Sequence, residues 1–206
     1  MDAEFPYRYV AIEGPIAAGK TTLAKLLSKR FRIEAVLEDL NNPFLAPFYR
    51  DPKTHRLSVQ LYFLITRHLV QFEIRRRLDS GAGVVSDFMF WKEQVFSSVN
   101  LTKPEMRIYD RMWSVLVQDA VVPDVVVWLD APEEFLFNRI WRRGRRYEEA
   151  ISLGYLEKLR RGYAEFFESW HECDVIRIRS DRFDFEHDPE DADAVVGAIL
   201  DKVDLT

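Results

Sequence analysis

A short apolar run, a glycine-containing turn and a helical segment follow one another near the start of the chain. The run Tyr9–Glu13 (YVAIE) leads directly into Gly14–Thr21 (GPIAAGKT), which matches the pattern G-x-x-x-x-G-K-[ST]. The segment Thr21–Phe31 then has the apolar spacing of an amphipathic helix. The glycines allow a turn whose N–H groups point at phosphate oxygens, and the helix adds its positive N-terminal end. This order predicts a strand–loop–helix unit that binds a nucleoside triphosphate.

Two side chains of this loop have predicted roles beyond the backbone. Lys20 is expected to reach the β- and γ-phosphates, and the hydroxyl of Thr21 is expected to bind Mg²⁺. A chance match in an ordinary turn is the alternative, and the strand before the loop and the helix after it argue against that. The residues expected to hold the nucleotide are Gly14, Ala17, Ala18, Gly19, Lys20, Thr21 and Thr22.

Four more apolar runs predict the rest of a sheet. Runs rich in Val and Ile without strict alternation are typical of strands buried on both faces, as in a parallel sheet. With Tyr9–Glu13, the runs are Ile33–Glu38, Val84–Asp87, Val125–Asp130 and Val175–Ile178.

Helical patterns lie between these runs, at His55–Leu78, Pro104–Val121 and Leu153–Trp170 as well as Thr21–Phe31. Alternating strands and helices predict an α/β fold of the P-loop NTPase type, with a five-stranded parallel sheet and helices on both faces. We see no linker or repeat, so residues 1–206 are expected to form one domain. The acidic stretch 181–193 is expected to be a surface loop before a last helix.

The composition limits the classes of binding partner and the cell compartments that suit this chain. The chain has 206 residues, with 29 basic and 34 acidic side chains, a net charge of −5. This balance disfavours broad binding to nucleic acid or an anionic membrane. The single Cys173 excludes an internal disulfide, and no apolar run reaches the roughly 18 residues of a membrane span. The N-terminus resembles neither a signal peptide nor a transit peptide. We therefore expect a cytoplasmic protein.

Several of the apolar runs end in a carboxylate. In an open α/β sheet the ligand binds beyond the carboxyl ends of the strands, so Glu38 and Asp87 are expected to face the phosphate loop. One is expected to be a general base and the other a magnesium-associated acid. Asp130 is followed by a helix start with acids in its first turn, and we interpret it as structural.

An arginine cluster predicts a lid. At helical spacing the arginines cannot all point one way, and a solvated face is the usual interpretation of a charge run. Gly144, however, interrupts the cluster, and a helix followed by a glycine-broken loop suits a lid that closes over transferring phosphate. The members are Arg139, Arg142, Arg143, Arg145 and Arg146.

Five segments in order resemble the deoxyribonucleoside kinases, in particular the bacterial deoxyadenosine/deoxyguanosine kinase branch. They are IEGPIAAGKTTLAKLL, LEDLNNPFLAPFYRDP, SVQLYFLITR, VVSDFMFWKEQVFSSVNL and RIWRRGRRYEEAISLGYLEKL, the last matching R-x-x-x-R-G-R-x-x-E. The resemblance implies transfer of the γ-phosphoryl of ATP or another NTP, with Mg²⁺, to the 5′-hydroxyl of a deoxynucleoside in nucleotide salvage. It also implies a homodimer built from long helices, for which His55–Leu78 and Pro104–Val121 are the candidates.

The resemblance also implies individual roles. Glu38 matches the acid that accepts the 5′-hydroxyl proton, and Tyr49 and Glu148 match the pair that holds the sugar 3′-hydroxyl. The lid arginines are matched by Arg139, Arg143 and Arg145.

At three more positions the resemblance implies residues that recognise the nucleobase. Gln60 and Arg67 lie seven residues apart, two helical turns, and match the residues that hydrogen-bond the base edge. Glu93 matches the acid that pairs with that arginine. Such a pair implies a purine deoxynucleoside or deoxycytidine rather than thymidine.

Two positions depart from the family pattern. An arginine often follows the third-strand acid, but Phe88 stands there, which makes the role of Asp87 less secure. Asp39 adjoins Glu38 and competes for the base role; we favour Glu38, because it ends the apolar run and Asp39 would point to the other side of the strand. A nucleoside monophosphate kinase and a catalytically silent binding subunit are the alternative functions.

Overall fold

The computed structural model describes residues 5–206, which form five β-strands and eight α-helices. All strand pairs are parallel. The strands are β1 (Tyr9–Glu13), β2 (Glu34–Val36), β3 (Val84–Ser86), β4 (Val125–Asp130) and β5 (Asp174–Arg179).

The strand order is β2-β3-β1-β4-β5, so β1 lies at the centre of the sheet. The loop after β1 therefore opens in the middle of the sheet's carboxyl edge, beside the residues that follow β3. This edge is where parallel α/β sheets bind their ligands. The parallel five-stranded sheet predicted from the apolar runs is confirmed.

The helices cover both faces of this sheet. In the part of the chain that the structure describes, none of them combines the length and the apolar character needed to cross a membrane. They are α1 (Lys20–Phe31), α2 (Leu45–Arg50), α3 (Pro52–Asp79), α4 (Lys92–Asn100), α5 (Lys103–Leu116), α6 (Glu133–Arg143), α7 (Leu153–Glu168) and α8 (Pro189–Asp201).

Alternate side chains of β1 enter opposite cores. Val10 and Ile12 pack with residues of α1, α6 and α8, whereas Tyr9 and Ala11 pack with residues of α3, α4 and α7. A strand buried on both faces has no polar side to present to solvent, which explains its continuous apolar sequence.

Several boundaries differ from the sequence-based predictions. Strand β2 ends at Val36, two residues before Glu38, so the carboxylate lies in the loop that follows the strand. Helix α3 begins at Pro52 rather than His55, because Asp51 caps the N–H of Thr54 and proline is favoured at the first helical position. Helix α4, which follows β3, is not among the predicted helices.

Candidate active site

The phosphate loop adopts a conformation that its glycines make possible. Gly14 has φ 142°, and a Cβ built there would lie 2.2 Å from the carbonyl oxygen of Leu129. Gly19 has φ 103° and Ala17 has φ 68°, so the loop carries three residues with positive φ before α1 begins. The tight turn holds the start of α1 against the end of β1.

Lys20 folds back over this loop. Its ammonium donates hydrogen bonds to the carbonyl oxygens of Gly14 and Pro15, each at 2.8 Å. Burial lowers the pKa of Lys20 to about 8, and the neighbouring Lys92 ammonium acts in the same direction. A partly buried cation beside a row of backbone N–H groups is a strong site for phosphate oxygens.

Asp87 connects the phosphate loop with the segment after β2. Its Oδ2 accepts a hydrogen bond from the hydroxyl of Thr21 at 2.5 Å, and its Oδ1 accepts one from the backbone N–H of Glu38 at 2.7 Å. The carboxylate thereby fixes the position of Glu38 relative to α1.

Glu38 lies inside a cavity and between two cations. Arg67 donates from Nε to its Oε1 at 2.8 Å, and the Nζ of Lys92 lies 3.1 Å from its Oε2. Burial alone would raise the pKa of Glu38, but Arg67 and Lys92 outweigh it and hold the pKa at about 2. Asp39 is exposed, and its Oδ1 accepts the N–H of Asn41.

The far end of the cavity is formed by α3 and α4. Arg67 forms an ion pair with Glu93, as predicted from the resemblance, and Glu93 also accepts the hydroxyl of Tyr109 at 2.6 Å. The Oε1 of Gln60 lines this region and has no hydrogen-bond partner among residues 5–206. Buried polar atoms without protein partners indicate a polar ligand.

Tyr49 and Glu148 close the cavity on the lid side. Glu148 is buried and accepts two hydrogen bonds from Arg143, both at 2.7 Å. The ring of Tyr49 stacks on that of Tyr147, with 6.3 Å between centroids, and burial raises the pKa of Tyr49. Both predicted sugar-binding side chains therefore line one cavity, without a direct hydrogen bond between them.

A second cavity adjoins the first on the other side of the phosphate loop. Arg143 and Arg145 line both cavities, whereas Arg139 lines only the second, with its Nη1 3.4 Å from the carbonyl oxygen of Ala17. Gly144 has φ 62° and ends α6, so the arginines divide between a helix and the loop beyond it. Lys20 and Thr21 also line both cavities, at their junction.

The interpretation of Asp130 as structural agrees with its surroundings. Its side chain is 1% exposed and is paired with Arg160 and Arg177, at 3.0 and 2.6 Å. It therefore holds β4, β5 and α7 together rather than facing a cavity.

Several residues of the site have no role predicted from the sequence. Lys92 pairs with Glu38, and the loop after β5, predicted to be surface, lines the second cavity with Phe183. Glu13 ends its apolar run, and its carboxylate accepts the N–H groups of Gly14 and Met89. The signal for Glu13 is an acid inside an otherwise apolar strand, which burial makes costly unless it is hydrogen-bonded.

Known proteins resemble this chain over most of its length. A Bacillus subtilis protein named deoxyguanosine kinase is 30% identical over 203 residues, 95% of this chain and 97% of that protein. A Dictyostelium discoideum protein named deoxyadenosine kinase is 32% identical over 182 residues, 85% of this chain and 73% of that protein. A solved structure of deoxyadenosine kinase from M. mycoides, with products dCMP and dCDP, has a TM-score of 0.80 at 23% identity, covering 95% of this chain and 100% of that one.

The family model described as deoxynucleoside kinase matches residues 10–204, which include nearly all of the five strands and both cavities. The solved structure shares the fold, and the two relatives align with 95% and 85% of this chain. The chain therefore belongs to the deoxynucleoside kinase family and is a phosphotransferase that acts on deoxynucleosides.

Proposed function

We propose that the enzyme transfers the γ-phosphoryl of ATP or another NTP to the 5′-hydroxyl of a purine deoxynucleoside or deoxycytidine, in nucleotide salvage. The observation that carries this proposal is the junction of the two cavities at Lys20 and Thr21. A triphosphate in the arginine-lined cavity would present its terminal phosphoryl at this junction, and an acceptor in the other cavity would meet it beside Glu38.

Glu38 is the base in this proposal. As the bond between the acceptor oxygen and phosphorus forms, the bond from phosphorus to the leaving nucleoside diphosphate oxygen breaks, and the hydroxyl proton passes to the Glu38 carboxylate. A weakly basic carboxylate suffices, because the transition state of phosphoryl transfer is loose and the hydroxyl mainly needs to be oriented. Lys20, Arg139, Arg143 and Arg145 neutralise the charge of the transferring group.

The residues present suit Mg²⁺. The Thr21 hydroxyl and the Asp87 carboxylate lie together and are oxygen donors, which Mg²⁺ prefers. Within residues 5–206 no group of three or more His, Cys, Asp or Glu side chains could hold a metal, so these two residues would hold Mg²⁺ together with phosphate oxygens and water. When bound, Mg²⁺ supplies positive charge to the phosphates.

The acceptor is recognised at two places, the sugar and the base. Tyr49 and Glu148 hold the 3′-hydroxyl, and Gln60 and Arg67 bind the base edge while Glu93 orients Arg67. The unpartnered Oε1 of Gln60 supports this, because a base amino group would satisfy it. Relatives named for deoxyguanosine, deoxyadenosine and deoxycytidine support the same choice of bases.

A panel of the four deoxynucleosides with ATP and Mg²⁺ tests the proposal. We expect deoxyadenosine, deoxyguanosine or deoxycytidine to be phosphorylated faster than thymidine in direct competition, because a base that leaves the buried Arg67–Glu93 pair unsatisfied is penalised. Deoxynucleoside monophosphates serve as the control acceptors. Faster turnover of thymidine would overturn the base assignment, and faster turnover of monophosphates would overturn the acceptor assignment.

The assembly and location belong to the same proposal. Helices α3 and α5 leave apolar side chains on the surface, among them Leu69, Phe72 and Val115, at 59, 49 and 66% exposure, which supports a homodimer built from these helices. We also infer a single domain, with the phosphate loop at 14–21 and the lid at about 139–152. A cytoplasmic location is supported by the lone thiol, Cys173.

A further inference from the structure

Lys92 is a buried cation that has no role in the proposed reaction. It is the first residue of α4, and its side chain is 3% exposed. Its ammonium lies 5.5 Å from the centre of the Phe96 ring and 3.1 Å from Oε2 of Glu38. In the part of the chain that the structure describes, Glu38 is the only carboxylate in an ion pair with Lys92.

The position of Lys92 is unfavourable for stability alone. A lysine in the first turn of a helix faces the positive end of the helix dipole, and a buried ammonium loses its hydration. The attraction within a buried ion pair offsets this loss of hydration only when the geometry is good. Apolar residues of similar volume are often as stabilising as such a pair. The contact with Glu38 thus points to a role in the reaction.

Phe88 does not supply a cation next to Asp87. It directly follows Asp87, is 1% exposed and packs in the core with Tyr163 and Met89, so its side chain contributes no charge to the cavity. Lys92, four residues further along, brings a cation to the cavity from the start of the next helix.

The other cation on Glu38 is shared. Arg67 contacts both Glu38 and Glu93, and in the proposed function its guanidinium also binds the nucleobase. Three partners compete for one guanidinium, whereas Lys92 has one carboxylate. When a nucleoside draws Arg67 toward the base edge, Lys92 is the cation that remains on Glu38.

We propose that Lys92 is a positioning residue, which holds the Glu38 carboxylate in place for the acceptor hydroxyl. This inference rests on the proposed role of Glu38 as the base. It requires that Lys92 acts through Glu38, so the loss of Lys92 matters for turnover only while Glu38 is present.

A double-mutant cycle tests this dependence. We expect Lys92→Met to lower kcat by about 10- to 100-fold, less than the roughly 10²–10⁴-fold typical for loss of a general base, while the nucleoside Kd measured by calorimetry changes by less than about threefold. Lys92→Arg should recover most of kcat, because it restores the charge. In a Glu38→Gln background, Lys92→Met should have almost no further effect on kcat.

Controls separate the possible failures. Lys158→Met, an exposed change on α7, should leave kcat unchanged in both backgrounds. If Lys92→Met does not fold, Lys92→Gln takes its place with the same expectation. A kcat within about threefold of wild type for the Lys92 variant, or losses that multiply in the double variant, would overturn the proposal. A wild-type kcat in Glu38→Gln would instead overturn the base assignment.

Thermal unfolding of wild type, the two single variants and the double variant tests the contact without turnover. If the ion pair is formed in solution, the Tm changes of Lys92→Met and Glu38→Gln should be non-additive. Additive changes would overturn the pairing whatever the substrate proves to be.

Discussion

Glu38 and Asp39 are neighbours in sequence with opposite surroundings. Glu38 lies inside the cavity beside two cations, whereas Asp39 is exposed and its carboxylate accepts a hydrogen bond from the backbone N–H of Asn41. We expect Glu38→Gln to lower kcat by about 10²–10⁴-fold, because it removes the proton acceptor and keeps the shape. Asp39→Asn should remain near wild type. Steady-state kinetics of both variants, with circular dichroism to verify folding, provides the comparison, and the reverse pattern would reassign the base to Asp39.

Gly14 offers a residue-scale prediction about stability. Its φ of 142° costs other residues about 1–3 kcal/mol, and a Cβ there would overlap the Leu129 carbonyl oxygen. Gly14→Ala should therefore lower Tm markedly. Gly197 lies within α8, and a Cβ added to it would meet no atom within 4 Å from residues 5–206 outside its own stretch of helix, so Gly197→Ala should raise stability by up to about 1 kcal/mol. Equal Tm changes in the two variants would contradict the assigned conformation of the loop.

The acceptor site shows where prediction at the residue scale ends. Gln60 and Arg67 share a cavity because helical periodicity fixes their spacing, and Lys20 and Thr21 follow from a local motif. The pairing of Glu38 with Lys92 joins residues 54 apart in sequence, through a helix that the sequence did not predict. No periodicity or local pattern encodes that contact, because it depends on the pairing of β2 with β3, which brings the segments that follow the two strands together.

At the scale of elements, apolar runs predicted the strands well where burial is two-sided. β1 and β4 have the predicted bounds, because every one of their residues is buried. β2 is three residues shorter than its apolar run, Ile33–Glu38, and only Val36 among its residues is buried. The missed α4 has apolar residues on a single narrow face, among them Val95 and Val99.

The position of Glu148 predicts how the lid responds to the acceptor. Glu148 lies in a short turn between α6 and α7 and is held by Arg143, so an acceptor hydroxyl at Glu148 would be coupled to lid position. A 2′,3′-dideoxynucleoside should lose about 1.5–3 kcal/mol, roughly 10- to 150-fold in kcat/KM, relative to its 2′-deoxy parent. In Glu148→Gln this difference should shrink, because the charge is gone. The measurement is kcat/KM for both substrates with both enzymes; equal handling by wild type would make Glu148 an ordinary lid acid.

At the scale of the whole molecule, the exposed apolar stripe predicts self-association. Ile65, Leu69 and Phe72 are spaced by four and three residues on α3 and are 45, 59 and 49% exposed. Replacing Leu69 and Phe72 together by glutamate should convert a dimer into a monomer in light scattering or sedimentation, because two charges per chain would be buried in the interface. Leu153→Glu, at an exposed apolar position at the start of α7, is the control and should leave the mass unchanged. A monomeric wild type would contradict the prediction.

The charges around Glu38 bear on how such an enzyme changes its substrate over generations. Arg67 and Lys92 stand against Glu38 and Glu93, two positive and two negative side chains with almost no contact with solvent. Replacing any one by a neutral residue leaves an unmatched buried charge, which typically costs about 3–5 kcal/mol. A lineage moving toward another base would therefore be expected to substitute these positions in compensating pairs, and single replacements would be short-lived intermediates.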